Sequence, residues 1–384
     1  MKKILVVHNN YRDLGGEDIA VKNEIKFLKK YYQVETLLFS NKTNNIISNI
    51  FSLILRNNIN SNNKLKLAIS NFKPDLIYIH NTWFHASLGI FDIAKKANVQ
   101  TIVKLHNFRY FCTRFYMSSN HLNKNLICEA CGLRISSVGK FNKYYRDSVL
   151  KSIAVINYGK KYFKILKNYN LDILVLTDFH KRFLIDLGVN EEKITTYPNY
   201  LDIDLTLEGN NIIERDYLVY AGRVSAEKGV YELIETFIKA DLKNIILKVI
   251  GKGPNLDNLK RIYQNNKKIE FIGEKSNTEV LDIIANSIAV VTATKLYEGQ
   301  PTLLCEASAL GIPSIFPNTG GIKEFFPSKY ELSFDQFDYE DLENKLKLLN
   351  NIEKRTIIGK ENKQYINDYL SKERLKSLLT GIYE

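Results

Sequence analysis

The chain alternates short apolar runs rich in β-branched residues with longer segments of helical periodicity, and it does so in two series. Such alternation predicts doubly wound α/β units, because consecutive parallel strands need crossover helices that cover both faces of a sheet. The predicted strands are 2–9, 34–39, 75–80, 101–106, 173–177 and 194–197 in the first series, and 217–222, 245–250, 269–273, 289–292 and 313–316 in the second. Helices are predicted at 17–30, 230–240, 278–286 and 302–310.

Two such series in 384 residues indicate two domains, since most domains have about 100–200 residues. Pro198 and Asn199 end the first series, and a polar stretch follows before the second begins. We therefore place the domain boundary after residue 200. The predicted parts are a domain at 1–200, a domain at 201–364 and a closing helix at 365–384 that can return to the first domain.

The composition restricts the class of protein. With 45% apolar and 25% charged residues, it is typical of a soluble globular chain. The apolar runs at 4–7 and 46–55 are too short to cross a membrane or act as a signal peptide, so we expect neither secretion nor membrane insertion. The net charge of +12 favours an anionic partner: a nucleic acid, a phosphate-bearing ligand or an acidic membrane surface.

Two of the expected strand ends carry residues suited to a phosphate. In open α/β folds, ligands bind beyond the carboxyl ends of the strands. Gly15 and Gly16 open the first helix, where glycine allows close approach and helix N–H groups attract anions. The pattern is not G-x-G-x-x-G, so dinucleotide binding loses its main support. Arg223 and Lys228 flank the first turn of the second series and suit a diphosphate, although such cations can also simply be solvated.

The most specific motif runs from Glu298 to Glu306 after the strand at 289–292. A proline at 301 suits the first helical turn, and we expect free N–H groups near Thr302 and Leu303. Glu306 lies in an apolar stretch, where a carboxylate needs a partner such as a pair of sugar hydroxyls. The alternative is that Glu298 is simply a glutamate favoured at a helix start and that Glu306 is an exposed helical glutamate.

In their order and spacing these motifs resemble those of the retaining glycosyltransferases of family 4, which have the GT-B fold of two Rossmann-like domains facing a central cleft. The resemblance extends over nearly the whole chain. The segments that carry it are Gly15-Gly16, Leu105-His106-Asn107, Pro198-Asn199-Tyr200-Leu201-Asp202, Tyr220-Ala221-Gly222-Arg223, Lys228-Gly229, Val249-Ile250-Gly251-Lys252-Gly253-Pro254 and Glu298 to Glu306.

The resemblance implies a first domain that binds the acceptor and a second that binds a nucleotide sugar, for which we expect a UDP-sugar. Arg223 and Lys228 would hold the diphosphate and stabilise the leaving-group charge, so no cofactor or metal ion is expected. Glu298 would bind hydroxyls of the donor sugar, Glu306 the ribose, and His106 would lie beside the reacting carbon. The remaining expected donor-binding residues are Gly15, Gly16, Gly251, Gly299, Thr302 and Leu303.

One position departs from the family. Asn107 follows the histidine where an aspartate is often found, so any role that needs a carboxylate there is in doubt.

A second open question is metal binding. Cys112, Cys128 and Cys131 form a weak candidate for a structural zinc site with His106 or His121, the alternative being reduced thiols.

The segment 134–167 has nine basic residues, one acid and interleaved aromatics. It suits a nucleic-acid surface, an anionic membrane face or solvated helices. The resemblance favours the membrane, and hence a cytoplasmic protein bound peripherally at the inner face that acts on a lipid-linked glycan in cell-surface polysaccharide biosynthesis. The segment 46–56 is a second candidate contact, or an ordinary packed helix.

Three other functions stay open at this point: a sugar-nucleotide epimerase, a phosphorylase and a nucleic-acid-binding module. A phosphorylase needs a pyridoxal phosphate lysine, which these motifs do not suggest. The charged motifs cluster at strand ends facing one expected cleft, which a nucleic-acid binder does not require, so we expect no nucleic-acid partner.

Overall fold

The computed structural model describes residues 2–11, 15–42, 52, 54–111, 149–202 and 216–383. The chain divides into two compact units, Met1–Tyr200 and Leu201–Glu384. Each unit contains one six-stranded sheet, and all strand pairs in both sheets are parallel. The carboxyl ends of the strands therefore lie along one edge of each sheet.

The first sheet has the strand order β2-β1-β3-β4-β5-β6. Its strands are β1 Lys3–Asn10, β2 Gln33–Ser40, β3 Leu76–Ile79, β4 Gln100–Leu105, β5 Asp172–Val175 and β6 Ile194–Thr196. The described helices of this unit are α1 Gly16–Leu28, α2 Ile59–Phe72, α3 Gly89–Ala97, α4 Val149–Asn168 and α5 Asp178–Asp186. The central strands are mostly apolar because both faces of the sheet are covered, and β1 is completely buried from Ile4 to Val7.

The second sheet has the order β12-β11-β10-β7-β8-β9. Its strands are β7 Tyr217–Ala221, β8 Ile246–Ile250, β9 Ile269–Gly273, β10 Ala289–Val291, β11 Ser314–Asn318 and β12 Ser333–Asp335. The helices are α6 Val230–Ala240, α7 Leu256–Ile262, α8 Asn277–Ala285, α9 Thr302–Ala309, α10 Tyr339–Leu348, α11 Ile352–Tyr369 and α12 Lys372–Tyr383.

The predicted doubly wound α/β class is confirmed, and all eleven predicted strands are present with small shifts at their ends. The pattern did not predict β12, because its three residues, Ser333–Asp335, include only one apolar side chain and form no apolar run. The helical pattern at the end of the chain forms two helices, α11 and α12, separated at Leu370 and Ser371. Both belong to the second unit.

One charged side chain interrupts the apolar strand β4. Lys104 is completely buried, and its Nζ donates to Glu24 Oε2 of α1 at 2.7 Å and to the carbonyl oxygen of Pro198 at 3.3 Å. The hydroxyl of Tyr78 on β3 donates to the other oxygen of Glu24 at 2.5 Å. This buried ion pair thus links β3, β4, α1 and the end of the first unit. Neither charge contacts water, so each is stabilised mainly by the other.

We expect Lys104→Met to lower the free energy of unfolding of the first unit by about 3–5 kcal/mol, because Glu24 would stay buried without its cation. Adding Glu24→Gln should recover part of the loss, since no buried charge would remain. Urea denaturation measures both changes. Lys275→Met breaks the exposed Lys275–Glu279 pair and is the control, for which a much smaller effect is expected. An equal effect of Lys104→Met and the control would contradict this account.

Candidate functional site

Lys228 of the second unit is placed by a glycine. It ends a short 3₁₀ turn after β7, and Gly229 follows with φ +65°. A Cβ on Gly229 would lie 2.0 Å from the carbonyl oxygen of Ala293, which closely follows β10. Only glycine combines this backbone conformation with so close an approach. The turn after β7 is thereby held against the end of β10.

This approach brings Lys228 to Glu298. Lys228 Nζ donates to Glu298 Oε1 at 2.5 Å, and the hydroxyl of Thr294 donates to the same oxygen at 2.9 Å. The backbone of Glu298 is fixed as well, since its carbonyl accepts the N–H of Gly321 at 2.9 Å. Gly320, at φ +58°, allows this contact, because a Cβ there would lie 2.3 Å from the same carbonyl oxygen. The lysine and glutamate side chains are 30% and 27% exposed, so a ligand can reach the pair.

Arg223 follows β7 on the same edge of the sheet and is exposed. Its carbonyl accepts the hydroxyl of Tyr220 at 2.8 Å, which fixes the backbone. Its guanidinium makes no hydrogen bond or ion pair with the residues that the structure describes. Gly251, at the end of β8, has φ +131°, and a Cβ on it would lie 2.0 Å from the carbonyl oxygen of Gly222. This glycine is therefore required by packing, whatever it binds.

The start of α9 differs in one detail from the sequence prediction. The N–H of Thr302 is not free, because it donates to the carbonyl oxygen of Gln300 at 3.0 Å. Leu303 lies in the first turn, where helix N–H groups have no acceptor within the helix, and its side chain packs against the core. Gly299 is partly buried and joins Glu298 to this turn. A ligand at this helix start can thus use the N–H of Leu303 but not that of Thr302.

Glu306 lies in the second turn of α9 and is only 7% exposed, so the alternative of an exposed helical glutamate is wrong. Burial raises its pKa to about 7, and a hydrogen bond from the side chain of Asn277 on α8 opposes the shift. With a pKa near 7, the carboxyl group is about half ionised at neutral pH. Hydrogen bonds donated by a ligand would therefore shift it readily to the charged form.

In the first unit, His106 directly follows β4 and lines a small pocket. Arg109 lines the pocket from the same segment as His106. Other walls come from the segment after β3, with His80, Asn81 and Trp83, and from α4, with Tyr158. His80 Nδ1 and His106 Nε2 are 3.0 Å apart and share a hydrogen bond. Burial lowers the pKa of both histidines well below the usual value, and their nearby cationic groups add to the shift. Both rings are therefore neutral at physiological pH.

The glycine pair at the start of α1 is not required by the described fold. A Cβ on Gly15 would meet nothing closer than 3.9 Å, and one on Gly16 would meet nothing within 4 Å. Neither has a positive φ. The N–H of Gly15 donates to Asp18 Oδ2 at 2.9 Å, which any residue could do. The predicted role of these glycines in ligand approach stays a prediction.

Asn107 has a clear structural partner in α1. Its Nδ2 donates to Glu17 Oε2 at 3.0 Å, and its Oδ1 accepts the N–H of Arg109 at 3.0 Å. The hydroxyl of Tyr11 donates to the same Glu17 oxygen at 2.7 Å. An aspartate at 107 would set two carboxylates against each other. Position 107 therefore has a carboxylate beside it, that of Glu17, which the sequence analysis did not identify.

Several predictions fall outside the described residues. Cys112, Cys128 and Cys131 lie within 112–148, so the zinc alternative stays untested. Of the segment 46–56, the structure describes only residue 52 and residues 54–56. In the described part of the chain, no group of three or more histidine, cysteine, aspartate or glutamate side chains could hold a metal ion.

The described part of the basic segment belongs to α4. Tyr158 and Tyr162 are buried and line the pocket beside His106, so packing within the unit accounts for them. Among the lysines of this helix whose exposure the structure describes, Lys160, Lys164 and Lys167 are exposed and Lys161 is partly exposed. Among the helices that the structure describes, none is long and apolar enough to span a membrane.

Glu306→Gln is expected to stabilise the second unit strongly at pH 8 and much less at pH 5. The folded chain keeps the Glu306 proton up to about pH 7, whereas the unfolded chain loses it near the ordinary value of 4.5. The folded state therefore loses stability as the pH rises from 4.5 to 7, by up to about 3 kcal/mol at about 1.4 kcal/mol per pKa unit. Glutamine has no proton to lose. Thermal unfolding at both pH values measures the effect.

The control is Glu361→Gln, which changes an exposed glutamate in the middle of α11. This variant should change stability by the same small amount at both pH values. A gain from Glu306→Gln that does not depend on pH would contradict the raised pKa.

Residues 207–365 match the family described as "Glycosyl transferases group 1". The match includes Arg223, Lys228, Glu298 and Glu306. Over 276 residues the chain is 24% identical to the capsular polysaccharide biosynthesis glycosyltransferase CapM of Staphylococcus aureus, which covers 66% of this chain and 68% of that relative.

The whole fold is similar to solved structures. Sucrose-phosphate synthase from Thermosynechococcus elongatus aligns with a TM-score of 0.71 and 14% identity over 100% of this chain and 98% of that one. Anabaena HepE in complex with UDP and glucose aligns with a TM-score of 0.67 and 13% identity over 100% and 99% of the two chains. At these identities the likeness concerns the fold. The chain has the GT-B fold, and its second unit carries the region that matches the group 1 glycosyltransferases.

Proposed function

We propose that the protein transfers a sugar from a nucleotide-sugar donor to a glycan acceptor with retention of configuration at the anomeric carbon. The observation that carries the proposal is the contact between Lys228 and Glu298 at the carboxyl edge of the second sheet. This edge is where parallel α/β sheets bind ligands, and the contact lies inside the region that matches the family. A cation and a carboxylate side by side suit the two halves of the donor, its diphosphate and its sugar.

The charges explain how the site would change when a donor binds. Without a donor, Glu298 partly neutralises Lys228. A diphosphate carries more negative charge than one carboxylate, so it competes for the Lys228 ammonium, and the Arg223 guanidinium offers a second cation. Glu298 is then available to accept hydrogen bonds from sugar hydroxyls, while Thr294 keeps its orientation.

During transfer, the bond between the anomeric carbon and the phosphate oxygen breaks, and the acceptor oxygen bonds to the same carbon. The acceptor hydroxyl gives its proton to the departing phosphate oxygen, which has gained the electron pair of the broken bond. Lys228 and Arg223 would stabilise this developing charge, a form of electrostatic catalysis that needs no metal ion. We assign the ribose hydroxyls to Glu306 and further donor contacts to Gly251, Gly299 and Leu303.

In the first unit, we propose His106 as a residue that contacts the transferred sugar. Support comes from its position directly after β4 and from the polar pocket that it lines. Gly15 and Gly16 are proposed to admit the donor, since the fold itself does not require them.

The finer identity of the substrates is also a proposal. HepE is described in complex with UDP and glucose, which favours a UDP-sugar as donor. CapM is named for capsular polysaccharide biosynthesis, which favours a growing surface glycan as acceptor. We propose a lipid-linked glycan at the inner face of the cell membrane.

Two measurements on the full chain test the function. UDP should raise the thermal unfolding temperature more than GDP, ADP or RNA, since a ligand of the folded state stabilises it. Product analysis after incubation with UDP-glucose, UDP-galactose and UDP-N-acetylglucosamine, each with a lipid-linked oligosaccharide, should show a glycoside. An epimerised nucleotide sugar, or stabilisation by RNA alone, would overturn the proposal.

Lys228→Ala is expected to lower kcat/KM for transfer by about ten- to a hundredfold, the effect of losing one charged hydrogen bond to the donor. The matched control is Lys239→Ala at the other end of α6, because Lys239 also pairs with a glutamate, Glu343, at 2.8 Å. The control should keep normal kcat/KM. Steady-state kinetics compares the two. Equal kinetics for both folded variants would remove Lys228 from the donor site.

We expect the chain to bind anionic liposomes through the basic face of α4 and to bind neutral liposomes weakly. Each basic residue near an anionic surface contributes about 1 kcal/mol, and salt screens the attraction. Reversing the charges of Lys160, Lys161 and Lys164 together should abolish co-sedimentation at low salt. UDP-sugar hydrolysis should continue, because these lysines lie outside the loops proposed to bind the donor and do not line the pocket beside His106. Equal binding to anionic and neutral liposomes would contradict an electrostatic contact.

A further inference from the structure

We propose that His80 is a positioning residue that fixes the ring and the tautomer of His106, leaving Nδ1 as the His106 nitrogen that faces the substrate. The inference rests on the proposed function, in which His106 contacts the transferred sugar. His80 directly follows β3 and His106 directly follows β4, and these strands pair in parallel with Ile79 opposite Val103. The two histidines therefore leave neighbouring strands at the same edge of the first sheet.

The geometry of the pair is that of an edge-to-edge hydrogen bond. His80 Nδ1 lies 3.0 Å from His106 Nε2, while the ring centroids are 5.3 Å apart and the planes differ by 27°. Centroids so much farther apart than the nitrogens mean that the rings meet at their edges. The bond therefore restrains both the position and the plane of the His106 ring.

His80 itself is held firmly. It is 3% exposed, and its backbone N–H donates to the carbonyl oxygen of Val7 on β1 at 3.0 Å. Its ring packs against that of Tyr78 with centroids 4.4 Å apart. His106 is more accessible and lies on the wall of the pocket. His80 is thus too buried to contact a substrate itself and can influence one only by holding the more accessible ring of His106.

The shared hydrogen bond also determines which His106 nitrogen remains. A neutral imidazole has one N–H and one bare nitrogen, so the shared bond couples the two tautomers: one ring donates and the other accepts. Burial keeps both rings neutral, and the nearby ammonium of Lys104 on β4 supports this. The other titratable groups that face them are His8 on β1 and His180 on α5. With Nε2 engaged by His80, Nδ1 is left, and it makes no hydrogen bond with the described residues.

The test compares His80→Asn with His80→Gln in the full chain. An asparagine amide can occupy the place of Nδ1, whereas the longer glutamine carries its amide toward the place of Nε2, and both keep a polar group in the cavity. Nitrogen-15 NMR of the histidine side chains is practical because the chain has only six histidines. We expect one neutral tautomer for His106 in the unmodified chain and in His80→Asn, and a mixture of tautomers in His80→Gln.

Kinetics with UDP-glucose hydrolysis as the probe gives the second readout. His80→Gln should lower kcat by about tenfold or more with little change in KM, and should displace the pH profile, while His80→Asn recovers most of the rate. In the double variant His80→Gln/His106→Asn, the loss should be no larger than that of His106→Asn alone.

The outcomes separate this inference from the function on which it rests. If His106→Asn leaves hydrolysis unchanged, the proposed role of His106 fails. If His106→Asn is impaired but His80→Gln leaves the His106 nitrogen signals and kcat unchanged, the positioning role of His80 is overturned. Equal losses in His80→Asn and His80→Gln, or additive losses in the double variant, would also overturn it.

Discussion

Parallel strand pairing is the constraint on which the candidate site depends. Because every strand pair in both sheets is parallel, all strands of a sheet end at one edge, and the polar residues that follow them collect there. In the first unit this brings together His80 and His106 from the neighbouring strands β3 and β4. In the second unit it brings Lys228 after β7 to Glu298 after β10, across 70 residues of sequence.

Within that edge, close backbone contacts decide the final positions. Gly229 and Gly320 each occupy a left-handed conformation against a carbonyl oxygen of a neighbouring loop. Any side chain at either position would push the loops apart, and Lys228 would then separate from Glu298. The glycines act on the chemistry only through the spacing of these loops, which is why mutations there should affect stability and transfer together.

The two units treat buried charge differently. In the first unit, Lys104 and Glu24 neutralise each other inside the core and hold α1 against β4. In the second unit, Glu306 is buried with the neutral side chain of Asn277, and its raised pKa marks a carboxyl group that burial destabilises in its charged form. The first arrangement supports the fold. The second lowers the stability of the folded state as the pH rises from 4.5 to about 7, and a donor that supplies hydrogen bonds would compensate for the loss.

The sequence by itself determined the fold class, eleven of the twelve strands and the chemical types at the strand ends, because alternating apolar periods and turn residues are local features. It also pointed to Arg223, Lys228, Glu298, Glu306 and His106. The resemblance to the family pointed to His106 but not to His80, although each histidine is the last residue of a predicted strand. Only the tertiary structure decided that Glu306 is buried, that the N–H of Thr302 is occupied and that Glu17 provides the carboxylate beside Asn107. Each of these depends on which distant segments pack together, and burial and hydrogen-bond partners across tens of residues leave no periodic signal in the chain.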